Sequence, residues 1–498
     1  MNTVTASKLE QKIPLFLGLL LGAFFLAKFV NLYTPLFHDE LGVYGRALFY
    51  MLDNGPSMIP GDVDPEISRG HPLFFAFFIS SLSAWLGSTY VSARLVSLLC
   101  SLVLLIATYF LGKELFSKKI GLFAAFVLAF QPLFFAQSTL ILPEILLSLL
   151  ATLSLLFYTR KSFWLYFIFA SLMMMTKETA LVIFSGIALY EWYLNKFKIT
   201  FKLILEVAKW STPILWFVLF LVVQNHQHGW YLYPYHTGFV SFSPFSVFIR
   251  TLVTVTTLFL GQGRFILGIA IIAIYLKLDK EKRQQVLHEN ALIIAILIPM
   301  LVFSALNYFM TRYLLIILPI VIINALSVIE IRNIQPKHIA IFFLLTLPFQ
   351  FNPFYFTTDN NMGYLIVVNN IKKSAAALDS VSQGKAVRVF VEFPEINAIE
   401  DPRNGYTTNP NYILTTKYDN EVDYILKSGD DHMEVDGYNI ALEDYINPTD
   451  YGLDTTINST INNTQALKKS KFELIFESKY FFNHQRLFKT NNSVSSNE

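Results

Sequence analysis

Long apolar stretches recur through the first 354 residues, separated by short polar loops, and then stop. A helix needs roughly 20 residues to cross the hydrocarbon core of a bilayer. Windows that meet or approach that length lie at 13–33, 94–112, 120–138, 145–158, 163–176, 179–194, 211–224, 264–277, 291–306, 313–329 and 338–354. The pattern predicts an α-helical polytopic membrane protein of about 11 spans. Two further apolar segments, 72–86 and 244–262, are read as helices lying in the outer interface. The first is short of a crossing, and the second ends in Gly261-Gln262-Gly263-Arg264.

From about Tyr355 the composition turns to Asn, Asp, Thr and Lys. Residues 362–378 are helix-like, while 386–393, 412–416 and 472–482 alternate as strands do. Pro394, Pro402, Asn404-Gly405 and Pro410 mark turns between them. The expected organisation is a membrane domain over 1–354 and a C-terminal α/β domain over 355–498.

Charge sets the orientation. With a cytoplasmic N-terminus, the inner loops hold Lys113, Lys118 and Lys119, then Arg160 and Lys161, Lys196, Lys198 and Lys202, and Lys280, Lys282 and Arg283. The outer loops carry only scattered cations. This bias places the first loop (34–93) and the C-terminal domain outside the cytoplasm; the expected location is a bacterial inner or plasma membrane. The opening stretch lacks a small-x-small cleavage site and is read as a retained helix.

Composition supports the same class. The chain is 54% hydrophobic and 15% charged, against roughly 25% charge in a soluble domain. A net charge of +2 without a basic run gives no footing for nucleic acid. The single cysteine, Cys100, excludes disulfides and cysteine-held zinc.

Chemistry concentrates where the apolar pattern breaks on the outer side. Asp39-Glu40 follows the first span, and two carboxylates beside hydrocarbon are costly unless they face water, a cation or a partner. Both are catalytic candidates, one as a general base; the plain alternative is a helix N-cap, which accounts for only one acid. Arg69 and His71 close the same loop. Glu144 stands at the outer end of a span, and Lys177-Glu178 joins two spans with almost no loop. Arg312-Tyr313 opens another, and a guanidinium matches phosphate oxygens. These seven are substrate-binding candidates, with Lys177 and Arg312 as phosphate cations. His226 and His228 suit a divalent metal ion only in extended chain, and the surrounding Trp230, Tyr231, Tyr233 and Tyr235 read equally as an interfacial aromatic belt.

The order of these motifs resembles the GT-C glycosyltransferases of the protein O-mannosyltransferase and aminoarabinose transferase type. The carriers are Asp39-Glu40, Gly70-His71-Pro72-Leu73, Ala93-Arg94-Leu95, Leu111-Gly112-Lys113-Glu114-Leu115-Phe116, Pro143-Glu144, Thr176-Lys177-Glu178, and Arg312-Tyr313 with Pro319. The resemblance covers about residues 13–330 and leaves the tail out. It implies a GT-C-like fold and a polyprenyl-phosphate sugar donor used on the outer face. The acid that such enzymes use in the first outer loop maps to Asp39; the acceptor is expected to be a hydroxyl of a lipid, glycan or protein, and neither its identity nor the sugar's carries over from the family. Two departures stand: Glu144 occupies a place where many relatives have aspartate, and Gly70-His71-Pro72 lacks a second proline. The rivals are a lipid-linked oligosaccharide ligase or polymerase, which would use a large late outer loop, and a transporter, which would place charge mid-span. Lys28 is essentially the only such charge.

Overall fold

The computed structural model describes residues 11–237, 240, 242–307, 310–330, 335–351, 359–417, 421–430, 472–480 and 483–490. The boundary at 354/355 lies outside them, as do Phe481 and Phe482 of the last expected strand.

Every apolar window carries helix over most of its described residues. Length and composition qualify three described helices to cross a membrane: Ile13–Tyr33, Tyr90–Leu115 and Pro244–Gly263. Two bent pairs, Phe201–Ser211 with Ile214–His228 and Lys280–Glu289 with Ala291–Leu306, raise this to five. The other windows hold shorter helices, so the expected 11 spans are not matched by 11 unbroken rods. Proline is one reason: Pro132 separates Lys118–Ala129 from Pro132–Gln137, and Pro213 sits at the bend before Ile214.

Local signals fix the helix starts. Thr89 and Ser92 each accept the other's backbone N–H, closing a capping box ahead of Tyr90–Leu115. Ser117 accepts from the Ile120 N–H at 3.1 Å and caps the next helix after a two-residue break. The helix over Phe74–Trp85 is pinned by its Phe74 N–H on the Met175 carbonyl at 3.0 Å. Pro244–Gly263 is long enough to cross and is tied at two points. Arg250 donates to the Leu306 carbonyl at 2.9 Å, and Gln262 donates to the Asn360 carbonyl at 2.8 Å.

The first loop folds tightly. His38 takes a left-handed backbone (φ 47°), and Glu40–Tyr44 forms a π-helical turn before the helix Gly45–Asn54. Such turns recur at functional sites. Gly45 makes this one possible: a Cβ there would collide with the Glu40 carbonyl and lie 2.6 Å from Leu36 Cδ1.

Beyond the bundle, the helix Tyr364–Ser382 packs on a five-stranded sheet. Its strands are β1 (Val387–Val391), β2 (Tyr412–Thr415), β3 (Tyr424–Asp430), β4 (Phe472–Tyr480) and β5 (Asn483–Thr490). The order is β2-β1-β3-β5-β4, parallel across β2, β1 and β3 and antiparallel beyond. Val389, Phe390 and Val391 of the inner strand are all buried, as a parallel strand covered on both faces requires. β3 and β5 were not foreseen from the sequence. The domain docks on the first loop: Tyr406 Oη donates to the Leu36 carbonyl at 2.7 Å, and Arg403 pairs with Asp53 at 2.9 Å.

Candidate active site

Asp39 does not cap the turn it precedes. Its carboxylate instead accepts from Arg312 Nη2 and pairs with His38 Nδ1 at 3.2 Å. Burial would by itself raise this carboxyl; the Arg312 guanidinium and His38 override it and hold Asp39 well below the ordinary carboxylate range. The side chain still keeps 27% exposure, toward a cavity.

Arg312 is 3% exposed and surrounded by acids. Nη1 donates to Asp359 Oδ2 at 2.8 Å, and Nε lies 3.5 Å from Glu144 Oε1. Glu144 also accepts from Lys177 Nζ at 2.8 Å, and that ammonium lies 4.3 Å from the Tyr313 ring centroid. Two buried cations and three carboxylates from five separate chain positions thus form one network. Burying such charge costs several kcal/mol per ion unless each is paired, and here each is.

A second group lies beside it. His71 Nδ1 meets Glu178 Oε2 at 3.1 Å, and the His71 ring sits 4.9 Å from that of His236. Burial would raise Glu178, but His71 and then Lys177 bring it down to about 2. His236 is lowered to about 4, first by burial and then by the neighbouring His71. Gly70 brings the loops together: its φ is +69°, and a Cβ would stand 2.8 Å from Tyr233 Cβ. Arg69, also left-handed at φ 48°, lines the same space.

Both groups face one cavity of about 400 Å³. Its polar wall includes Asp39, Arg69, His71, Lys177, Glu178 and Arg312; Phe217, Leu221, Leu232 and Phe303 supply an apolar side. An anionic head group attached to a hydrocarbon chain matches that division.

The model of the dolichyl-phosphate-mannose-protein mannosyltransferase family matches residues 70–226. Solved structures match far more of the chain. ArnT from Cupriavidus metallidurans in the apo state superposes with a TM-score of 0.55 at 10% identity, covering 94% of this chain and 97% of that one. The chain has the GT-C fold. The same ArnT bound to undecaprenyl phosphate gives 0.52 at 11% identity, covering 96% and 98%. The apo oligosaccharyltransferase of Archaeoglobus fulgidus gives 0.51 at 13% identity, covering 90% and 72%. No curated protein matches the sequence. With 94% of the chain covered, the GT-C likeness runs well into the C-terminal domain, whereas the sequence resemblance stopped near residue 330.

Within this GT-C framework the expected site residues separate. Asp39, Arg69, His71, Lys177, Glu178, Arg312 and Tyr313 line the cavity, and Glu144 stands behind it. Glu40 does not reach it. It is fully buried, pairs with Arg94 at 2.7 Å and accepts from the Phe37 and Ile141 N–H groups, so its carboxylate is spent on structure. Asp39 and Glu40 point apart because successive residues of the turn face different sides.

The metal reading of His226 and His228 is corrected too. Both lie in the helix Ile214–His228, where residues two apart diverge. His228 Nε2 is 3.1 Å from the Pro60 carbonyl, which makes it a donor, and its ring stacks on Trp230. Among the described residues no cluster of three His, Cys, Asp or Glu could hold a metal ion.

Asp359, Tyr44, His236 and Asn307 were missed as site residues. The only sequence signal for Asp359 is that it is the first acid after the last apolar window; nothing local ties it to Arg312.

Proposed function

We propose that this protein transfers a sugar from a polyprenyl-phosphate donor to an acceptor hydroxyl on the outer face of the membrane, by single displacement with inversion. The observation that carries the reading is the meeting of Asp39 with Arg312, and of Lys177 with the same cavity, beside an apolar wall. The GT-C likeness to an ArnT solved with undecaprenyl phosphate supports the donor class.

The donor phosphate sits against Lys177 and Arg312, with its prenyl chain along the apolar side. The acceptor oxygen attacks the anomeric carbon, and its proton goes to Asp39. The bond between that carbon and the phosphate oxygen breaks, and polyprenyl phosphate leaves with the electron pair. Positioned bases of this kind contribute about 10²–10⁴-fold. Lys177 and Arg312 stabilise charge that grows on the leaving phosphate. In the free protein Arg312 makes Asp39 a weak base; a phosphate that takes over the guanidinium restores its basicity. The C-terminal domain borders the entrance, with Phe393 edge-on to His38 at 5.5 Å, and we assign it a part in acceptor choice.

Purified protein incubated with a panel of polyprenyl-phosphate sugars should release polyprenyl phosphate from at least one. No release across the panel in the presence of membrane acceptors sinks the proposal.

A further inference from the structure

The Arg312 guanidinium has carboxylates on three sides, and they are not equivalent. Asp39 lines the cavity, while Asp359 and Glu144 do not. The Asp359 side chain is 8% exposed, and its backbone is fixed: its carbonyl accepts from Gln137 Nε2 at 3.0 Å. The flanking chain is tied as well, through the Asn360 carbonyl on Gln262 and the Asn361 side chain on the Gly363 N–H. An incoming anion can therefore displace Asp39 but not Asp359. Asp39 has a second partner in His38 at 3.2 Å, so it can give up Arg312 without being left unpaired.

We propose that Asp359 is a positioning residue: it holds Arg312 from behind, so that the cavity-facing nitrogen Nη2 exchanges between Asp39 and the phosphate of a polyprenyl phosphate. The inference rests on the phosphate reading above. Asp359 thereby limits how tightly phosphate is held and lets the leaving lipid go. Its place just ahead of the helix Tyr364–Ser382 links that grip to the seating of the C-terminal domain.

The test is equilibrium binding of undecaprenyl phosphate to the purified full-length protein in detergent. Wild type should bind saturably, and Arg312→Ala should lose most of that affinity. Asp359→Asn should bind about 5–10-fold more tightly, because a fixed negative charge on the far side of Arg312 no longer opposes the phosphate. Asp359→Glu should return to within about 2-fold of wild type. A residue that merely braced the fold would weaken binding on substitution, so equal or weaker binding by Asp359→Asn overturns the inference. Should that variant not accumulate, Asp359→Ser removes the same charge with a smaller side chain and should tighten binding in the same direction; no tightening is equally fatal. Absence of binding by wild type, or full binding by Arg312→Ala, removes the phosphate reading itself and this inference with it.

Discussion

Asp39 and Arg312 form an ion pair across 273 positions of sequence, where the first loop meets the 3-10 turn Thr311–Ile316 that leads into the helix Leu318–Glu330. Removing the Asp39 charge separates its two roles. Asp39→Asn is expected to reduce transfer at least about 100-fold while the protein stays folded and membrane-inserted. Turnover assays beside a thermal melt check this; near-normal turnover would show that Asp39 is not the base.

Arg312 and Lys177 should not be interchangeable. Arg312→Lys keeps the charge but loses the fork that reaches Asp359 and Asp39 together, so a rise of about tenfold or more in donor KM is expected. Lys177→Ala should also raise donor KM more than acceptor KM. Kinetics with each substrate varied in turn decide the point, and an unchanged donor dependence in both variants would remove the phosphate assignment.

Glu40 and Arg94 should behave as structure. Breaking a fully buried pair by changing one partner leaves the other charge uncompensated and costs about 3–5 kcal/mol. Arg94→Ala is therefore expected to lower the melting temperature and the yield sharply, whereas Asp39→Asn does not. A stable, inactive Arg94→Ala protein would contradict this division of labour.

Acid should destabilise the protein in two stages. His236 is held at about 4, below an ordinary imidazole near 6.5, so its neutral form is favoured by folding. That contribution is complete above about pH 6.5 and fades as pH falls toward 4. Glu178, held at about 2 against roughly 4.3 when unfolded, contributes above about pH 4.3 and fades as pH falls toward 2. His236→Gln should flatten the upper part of a melting-temperature profile and Glu178→Gln the lower. Unaltered profiles would show that neither group is coupled to folding.

Gly70→Ala should disturb the cavity without touching a charged group. The added methyl meets a positive φ and the Tyr233 side chain, at a cost of about 1 kcal/mol or more. Donor KM and stability should both suffer modestly, and wild-type values for both would argue that the 230–236 loop does not depend on this contact.

Much of the fold was legible because hydrocarbon length and loop charge are local properties. The apolar windows all carry helix, and the alternation over 387–391 marks a real strand. β3 escaped because its partners β1 and β5 lie far along the chain, and β5 because its residues Asn483–Thr490 are mostly polar without a clear alternation. Asp39, Lys177 and Arg312 stood out as charges at the ends of apolar runs, where ionised groups are rare. His226 and His228 misled because spacing says nothing until the backbone is known to be helical.

By itself the sequence determined a helical membrane chain with its rare charges gathered at one end and a polar α/β domain after it. Only the tertiary structure decided which acid is which. Glu40 turns inward to Arg94, Asp39 turns to the cavity, and Asp359 reaches Arg312 from beyond the last apolar window. The physical reason is that a carboxylate's role depends on the cation and the solvent it faces, and those are supplied by residues far away in the chain.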